Sequence, residues 1–222
     1  MTIDELEAEV GPELFRRTCE RAWATALTTG RGPEDPWPAD EADVPHTIAD
    51  HFAGDAAFGF QVYRRMPCYG VLMYVGHEPR DDAFWSAISA LLDDSDDRLA
   101  APVQYWLWCG PFEEATVSGA LFEQLVANAP DLRVRRLLEV SGPVPWSAKA
   151  PLLKRLAGRP LWDSAVLHAL EWAAYDVYGQ IDPREATSLL RKLPAGRTTE
   201  LQAHLETLTP KPSKQKKQGR RR

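Results

Sequence analysis

The chain has 222 residues, 44% hydrophobic and 26% charged, with a formal net charge of −6, a globular composition and a length that suit one sizeable domain or a compact domain joined to a short repeat array. The acidic start, Met1 to Glu5, lacks the basic and apolar regions of a signal peptide. The longest apolar runs, Val71–Val75 and Tyr105–Cys109, fall far short of the roughly 20 residues that span a bilayer, so no membrane partner and a cytoplasmic location are expected.

Thr2-Ile-Asp-Glu5 has capping-box spacing and opens a short helix. Gly11-Pro12 ends it, and Pro12 suits the first turn of the next. There Leu14, Phe15, Thr18, Cys19, Ala22, Trp23, Ala26 and Leu27 recur at three- and four-residue steps, an amphipathic helix that Gly30 would stop. Residues 31–45 hold five acidic residues and four prolines and read as an exposed connection. Helices are expected near Thr47–Ala53 and over Ala56–Met66. Tyr69–Val75 reads equally as a short helix and as a strand or hairpin arm, because periodicity does not separate the two in so short a run.

Beyond Pro79 the pattern repeats. Leu121–Leu125, Leu152–Leu156 and Leu189–Leu193 align at spacings of 31 and 37 residues, and Asp97, Asp131 and Asp163 at 34 and 32. Each aspartate precedes a helix-periodic apolar run and is expected to serve as its N-cap. The ladder is one of antiparallel helix pairs at about 82–109, 113–140, 147–178 and 183–208, broken at glycine and proline clusters. Pro102 falls inside one of these helices. Asp182-Pro183-Arg-Glu185 has the order of cap, first-turn proline and carboxylate.

Paired helices at this period, with Asp131-Leu-Arg-Val134-Arg135 opening a second helix, resemble the HEAT and related α-solenoid families over roughly residues 82–208. The expected fold is mostly α: a HEAT-like repeat or an irregular helical bundle. Three regions follow: a helical region over 1–80, a repeat-like region over 81–208 and a disordered basic tail over 209–222.

The tail holds Lys211, Lys214, Lys216, Lys217, Arg220, Arg221 and Arg222 and no acid; without these seven cations the net charge falls from −6 to −13. An acidic body argues against a nucleic-acid face on the body itself, and leaves the tail, through Lys214, Lys216, Lys217, Arg220, Arg221 and Arg222, as the place for nucleic-acid contact.

Chemistry has few places to reside. His46, Asp50, His51 and Asp55 form two pairs at four-residue spacing, each able to offer two ligands to a metal from one helix face. The two pairs point about 140° apart, so one ion cannot easily use all four. Cys68 with His77 and Glu78 supplies the residue types of an activated thiol. Cys19, Cys68 and Cys109 are too widely spaced for a disulfide framework or a CxxC pair and read as reduced, mostly buried thiols. No phosphate loop, nucleophile elbow or dinucleotide fingerprint is present in the sequence, and no cofactor is expected. Trp106, Trp108, Trp162, Trp172 and Tyr175 are the aromatic residues placed to serve either the core or a binding surface. The leading expectation is a non-enzymatic interaction or adaptor protein whose partner is another protein. Nucleic-acid association through the tail and a metal- or thiol-dependent enzyme centred on 46–78 are the alternatives. The predominance of Arg and Ala, with 18 Pro against 3 Met, fits a GC-rich bacterial coding bias.

Overall fold

The computed structural model describes residues 1–27, 55–76, 80–114, 116–175, 181–194 and 198–208. These residues are mostly α-helical, and none of them forms a strand. The helices are α1 Ile3–Val10, α2 Pro12–Thr25, α3 Ala56–Arg65, α4 Tyr69–Val75, α5 Asp82–Asp93 and α6 Asp97–Cys109, then α7 Ser118–Val126, α8 Asp131–Glu139, α9 Trp146–Leu156, α10 Asp163–Tyr175, α11 Pro183–Leu190 and α12 Thr199–Leu208. None is long and apolar enough to cross a membrane.

The strand or hairpin arm entertained for 69–75 is instead α4. Its Val71, Leu72 and Val75 are buried at three- and four-residue steps, the helical period, so packing on a neighbouring helix decides what the short run leaves open. The helix expected near Thr47–Ala53 and the stop at Gly30 lie outside the described residues.

Local signals start α1, α2 and α11 as the sequence implies. Thr2 Oγ1 accepts from the Glu5 amide at 3.2 Å while Glu5 Oε2 accepts from the Thr2 amide at 2.8 Å, a complete capping box. Asp182 Oδ1 accepts from the Arg184 and Glu185 amides. The expected N-cap role of Asp97, Asp131 and Asp163 is not seen: each is the first residue inside its helix. Asp96, one residue earlier, takes the cap of α6 by accepting from the Arg98 amide. Pro130, without a side-chain acceptor, precedes α8, and a 3-10 turn at Pro160–Trp162 runs directly into α10. The three aspartates still share one structural position, the start of the second helix of a pair. The aligned leucines lie in or at the end of the first helices α7, α9 and α11, all buried. Helix α6 continues through the buried Pro102; the proline removes one amide donor without ending a helix held by packing on both sides.

Successive helices pack in pairs, α5 with α6, α7 with α8, α9 with α10 and α11 with α12. The second helices also pack in series, α6 on α8, α8 on α10 and α10 on α12, with α4 added against α6. The turns between them use what the backbone demands: Gly158 sits at φ +84 between α9 and α10, a conformation that favours glycine. A single buried apolar cluster runs from Leu6 to Leu205.

Two buried cations tie neighbouring pairs together. Arg136 of α8, 4% exposed, donates to the Leu92 carbonyl at 2.8 Å and the Asp94 carbonyl at 2.6 Å, and pairs with Asp97. It thereby satisfies the carbonyls freed where α5 ends. Lys149 of α9 is fully buried and donates to the Ser141 and Gly142 carbonyls at 2.7 and 3.0 Å, beyond the end of α8. The Arg135 guanidinium lies over the Trp162 ring at 5.1 Å, a cation–π contact between α8 and the entry to α10.

Candidate binding surface

Along the row α4–α6–α8–α10–α12, aromatic rings of α4, α6, α10 and α12 meet in two groups, Tyr69–Tyr105–Trp108–Trp172 and Tyr175–His204. On α6, Tyr105 and Trp108 are three residues apart and share a face. Tyr105 meets Tyr69 of α4 with centroids 5.0 Å apart, and Trp108 follows at 5.8 Å. Trp108 reaches across to Trp172 of α10, edge to face at 5.8 Å. Trp172 is followed along α10 by Tyr175, whose ring stacks on His204 of α12 at 4.3 Å and 25°. The other face of α10 is core, with Val166, Leu167, Ala169, Leu170, Ala173 and Ala174 buried.

The line is not sealed from solvent. Trp172 is 38% exposed, Tyr175 58% and Met73, one turn along α4 from Tyr69, 39%. Trp108, Tyr105, Tyr69, His168 and His204 are half-buried. Their edges are fixed by polar contacts. The His204 ring Nε2 lies 3.1 Å from the Ala174 carbonyl, and Cys109 Sγ and Tyr69 Oη are hydrogen-bonded at 3.5 Å. His168 Nε2 lies 2.7 Å from the Trp172 indole nitrogen and 3.1 Å from the Glu139 carbonyl. One ring nitrogen cannot accept the indole proton and donate to a carbonyl in the same tautomer, so His168 holds either Trp172 or Glu139.

The charge along the row is one-sided. Helices α4, α10 and α12 contain no Lys or Arg, and the one in α6, Arg98, lies at its far end; the three arginines of α8 are engaged elsewhere, Arg133 with Asp93, Arg135 over Trp162 and Arg136 with the carbonyls at the end of α5. Glu171 stands on α10 between His168 and Tyr175 at helical spacing, Glu200 one turn before His204, and the exposed Glu139 at the end of α8, where it accepts from Gln104 at 3.0 Å. Hydrogen bonding with Cys109 and partial burial push the Tyr69 phenol up to about 12, with the Glu113 carboxylate adding to the effect. The surface is therefore electron-rich rings edged by carboxylates, a setting that favours cations over anions.

The aromatic residues singled out from sequence divide. Trp108, Trp172 and Tyr175 come together on the row. Trp106 and Trp162 are buried at 5% and 6% exposure: Trp106 packs among Phe84 and Trp85, and Trp162 lies beneath Arg135. Tyr69, Tyr105, His204 and Glu139 join the surface although the sequence gives them no common motif, since they come from four different helices. Of the metal candidates, His46, Asp50 and His51 lie outside the described residues, and Asp55 caps α3 by accepting from the Phe58 amide at 2.9 Å. Among the described residues no group of three or more His, Cys, Asp and Glu is placed to hold a metal ion.

Cys68 is buried, and burial pushes its thiol up to about 11, which leaves little of the thiolate that a nucleophile requires at neutral pH. His77 and Glu78 lie outside the described residues. Cys19 is likewise pushed up to about 11, by burial first, and all three cysteines are free. An open groove of about 560 Å³ lies between α3 and α5, floored by alanines and Phe60 and Phe84, with Asp55, Asp81 and Arg64 at its edge. Both aspartates already bond helix amides.

Compared with known proteins, the chain matches no family model, no curated protein and no solved structure.

Proposed function

We propose that this protein is a non-enzymatic interaction module that receives a cationic segment of a partner protein along the row of second helices. The observation that carries this reading is the joined, partly exposed line Tyr105–Trp108–Trp172, followed along α10 by the exposed Tyr175, with carboxylates at its edge and no cation along α10 or α12. Arginine or lysine laid on such rings gains cation–π attraction and charge pairing together, and aromatic residues with polar tips are frequent energetic centres of interfaces. The serial packing of second helices supports a HEAT-like repeat, in which a stacked helix row presents an extended binding face. A nucleic acid would bring its phosphates against Glu139 and Glu171, so the row itself favours a protein partner.

The test is titration of Arg- and Lys-containing peptides into the full chain and into the chain with its tail cations replaced by glutamine. Trp172→Ala is expected to weaken binding by about tenfold or more and Glu171→Gln to lessen its salt dependence. Binding that both substitutions leave unchanged would overturn the assignment.

A further inference from the structure

Docking of the residues that follow α12 rests on the row being a cation-binding surface. Helix α12 ends at Leu208, and its face carries Glu200, His204 and Leu208 at successive turns. Leu208 is 41% exposed. The chain therefore leaves α12 from the helix that closes the aromatic line. The fourteen residues that follow contain seven cations, no acid and no aromatic residue, so charge and cation–π contact are what they offer a surface.

Reach is sufficient. Fourteen residues extend to about 46–50 Å. From α12 past α10 and α8 to α6 is three helix spacings, about 24–30 Å. Tethering supplies an effective concentration in the millimolar range, enough to populate a weak site that the free peptide would leave largely empty.

We propose that residues 209–222 dock in cis along the row, their Arg and Lys side chains over Trp108, Trp172 and Tyr175 and beside Glu171 and Glu200, and so compete with the cationic segment of a partner. A partner segment would then compete with a tethered occupant, and any modification that removes lysine charge from residues 209–222 would weaken that competition.

The experiment uses two full-length proteins, the natural chain and one with Lys211, Lys214, Lys216, Lys217, Arg220, Arg221 and Arg222 replaced by glutamine. Indole proton–nitrogen spectra are recorded for both at about 20 mM and about 500 mM salt, a range over which exposed charge pairs go from weakly to strongly screened. The Trp108 and Trp172 signals are expected to differ between the two proteins at low salt and to converge at high salt. A synthetic peptide of residues 209–222 added to the glutamine variant should restore the natural shifts. Trp172→Ala or Glu171→Gln in that variant should weaken the peptide by about two- to fivefold, and Glu123→Gln, on the first helix α7, should not.

Identical indole spectra at low salt, or a peptide bound equally by the Trp172→Ala and Glu171→Gln variants, would overturn cis docking. An unrelated Arg/Lys peptide separates the two readings: if it moves Trp108 and Trp172 while the tail does not, the surface stands and cis docking falls. If no cationic peptide moves them, both fall.

Discussion

Trp108 and Trp172 meet edge to face with ring centroids 5.8 Å apart, joining α6 to α10 across the end of α8. The contact makes one surface of two helices that are remote in sequence. Trp172 also loses 62% of its accessible surface to its surroundings while keeping 38% open, so it is positioned by the fold without being consumed by the core. An edge-to-face pair contributes about 0.5–1.5 kcal/mol beyond burial. Trp172→Ala is accordingly expected to lower stability by about 1 kcal/mol and to leave the helix content unchanged, as measured by urea unfolding and far-ultraviolet dichroism. A loss of cooperative unfolding would show that Trp172 is a core residue instead.

Arg136→Met tests how the helix pairs are locked. The substitution removes the donor to two carbonyls at the end of α5 and is expected to cost about 2–4 kcal/mol. Asp97→Asn, at the other end of the same ion pair, should cost under about 1 kcal/mol, because the Asp97 side chain is 73% exposed. The two urea midpoints give the comparison. Equal losses would mean that the ion pair to Asp97 of α6, and not the carbonyl contacts at the end of α5, holds Arg136 and α8 in place.

Gly76 ends α4 with ordinary helical backbone, φ −69 and ψ −10, so an alanine suits the chain locally. A Cβ there would stand 2.8 Å from the Trp106 ring, and Trp106 is fixed among Phe84 and Trp85. Gly76→Ala should therefore destabilise by about 1–3 kcal/mol, read by thermal unfolding. A variant as stable as the natural protein would show that α4 shifts freely on α6.

Glu185 accepts from the Trp146 indole at 2.5 Å and pairs with Lys154. The Lys154 hydrogen bond foremost, and that from Trp146, hold its carboxyl below its ordinary value of 4.5. A carboxyl with a lowered folded-state value stabilises the fold above the unfolded-state value and loses that contribution as pH falls through the folded-state one. Stability should thus decline as pH drops below about 4.5, and Glu185→Gln should flatten part of that decline, by less than about 1 kcal/mol for so accessible a pair. Unfolding midpoints at pH 3 to 6 measure it, and identical pH dependence in both proteins would remove Glu185 from the account.

Much of the architecture was legible in the chain because glycine and proline mark the turns and the leucines recur at helical spacing. The pairs expected at 82–109 and 183–208 coincide with α5–α6 and α11–α12. The caps were legible where a single acceptor precedes the first turn, as at Asp182, and were misplaced by one residue where two aspartates compete, as at Asp96 and Asp97. The surface was only half legible. Helical spacing puts Trp172 and Tyr175 on related faces, and Tyr105 with Trp108, but nothing local tells that α6 and α10 bring these pairs together. Nor does it tell that Trp106, next to Trp108 on the same helix, turns into the core. Both outcomes depend on the order in which second helices stack, which is a property of long-range packing.

The most direct measurement is calorimetric titration of an Arg- and Lys-containing peptide into the glutamine-tailed chain and its Trp172→Ala variant, at low and moderate salt. Binding is expected to weaken with salt and to fall about tenfold or more on Trp172→Ala, with the two proteins equally helical. Equal affinity in both, or no binding to either, would contradict it.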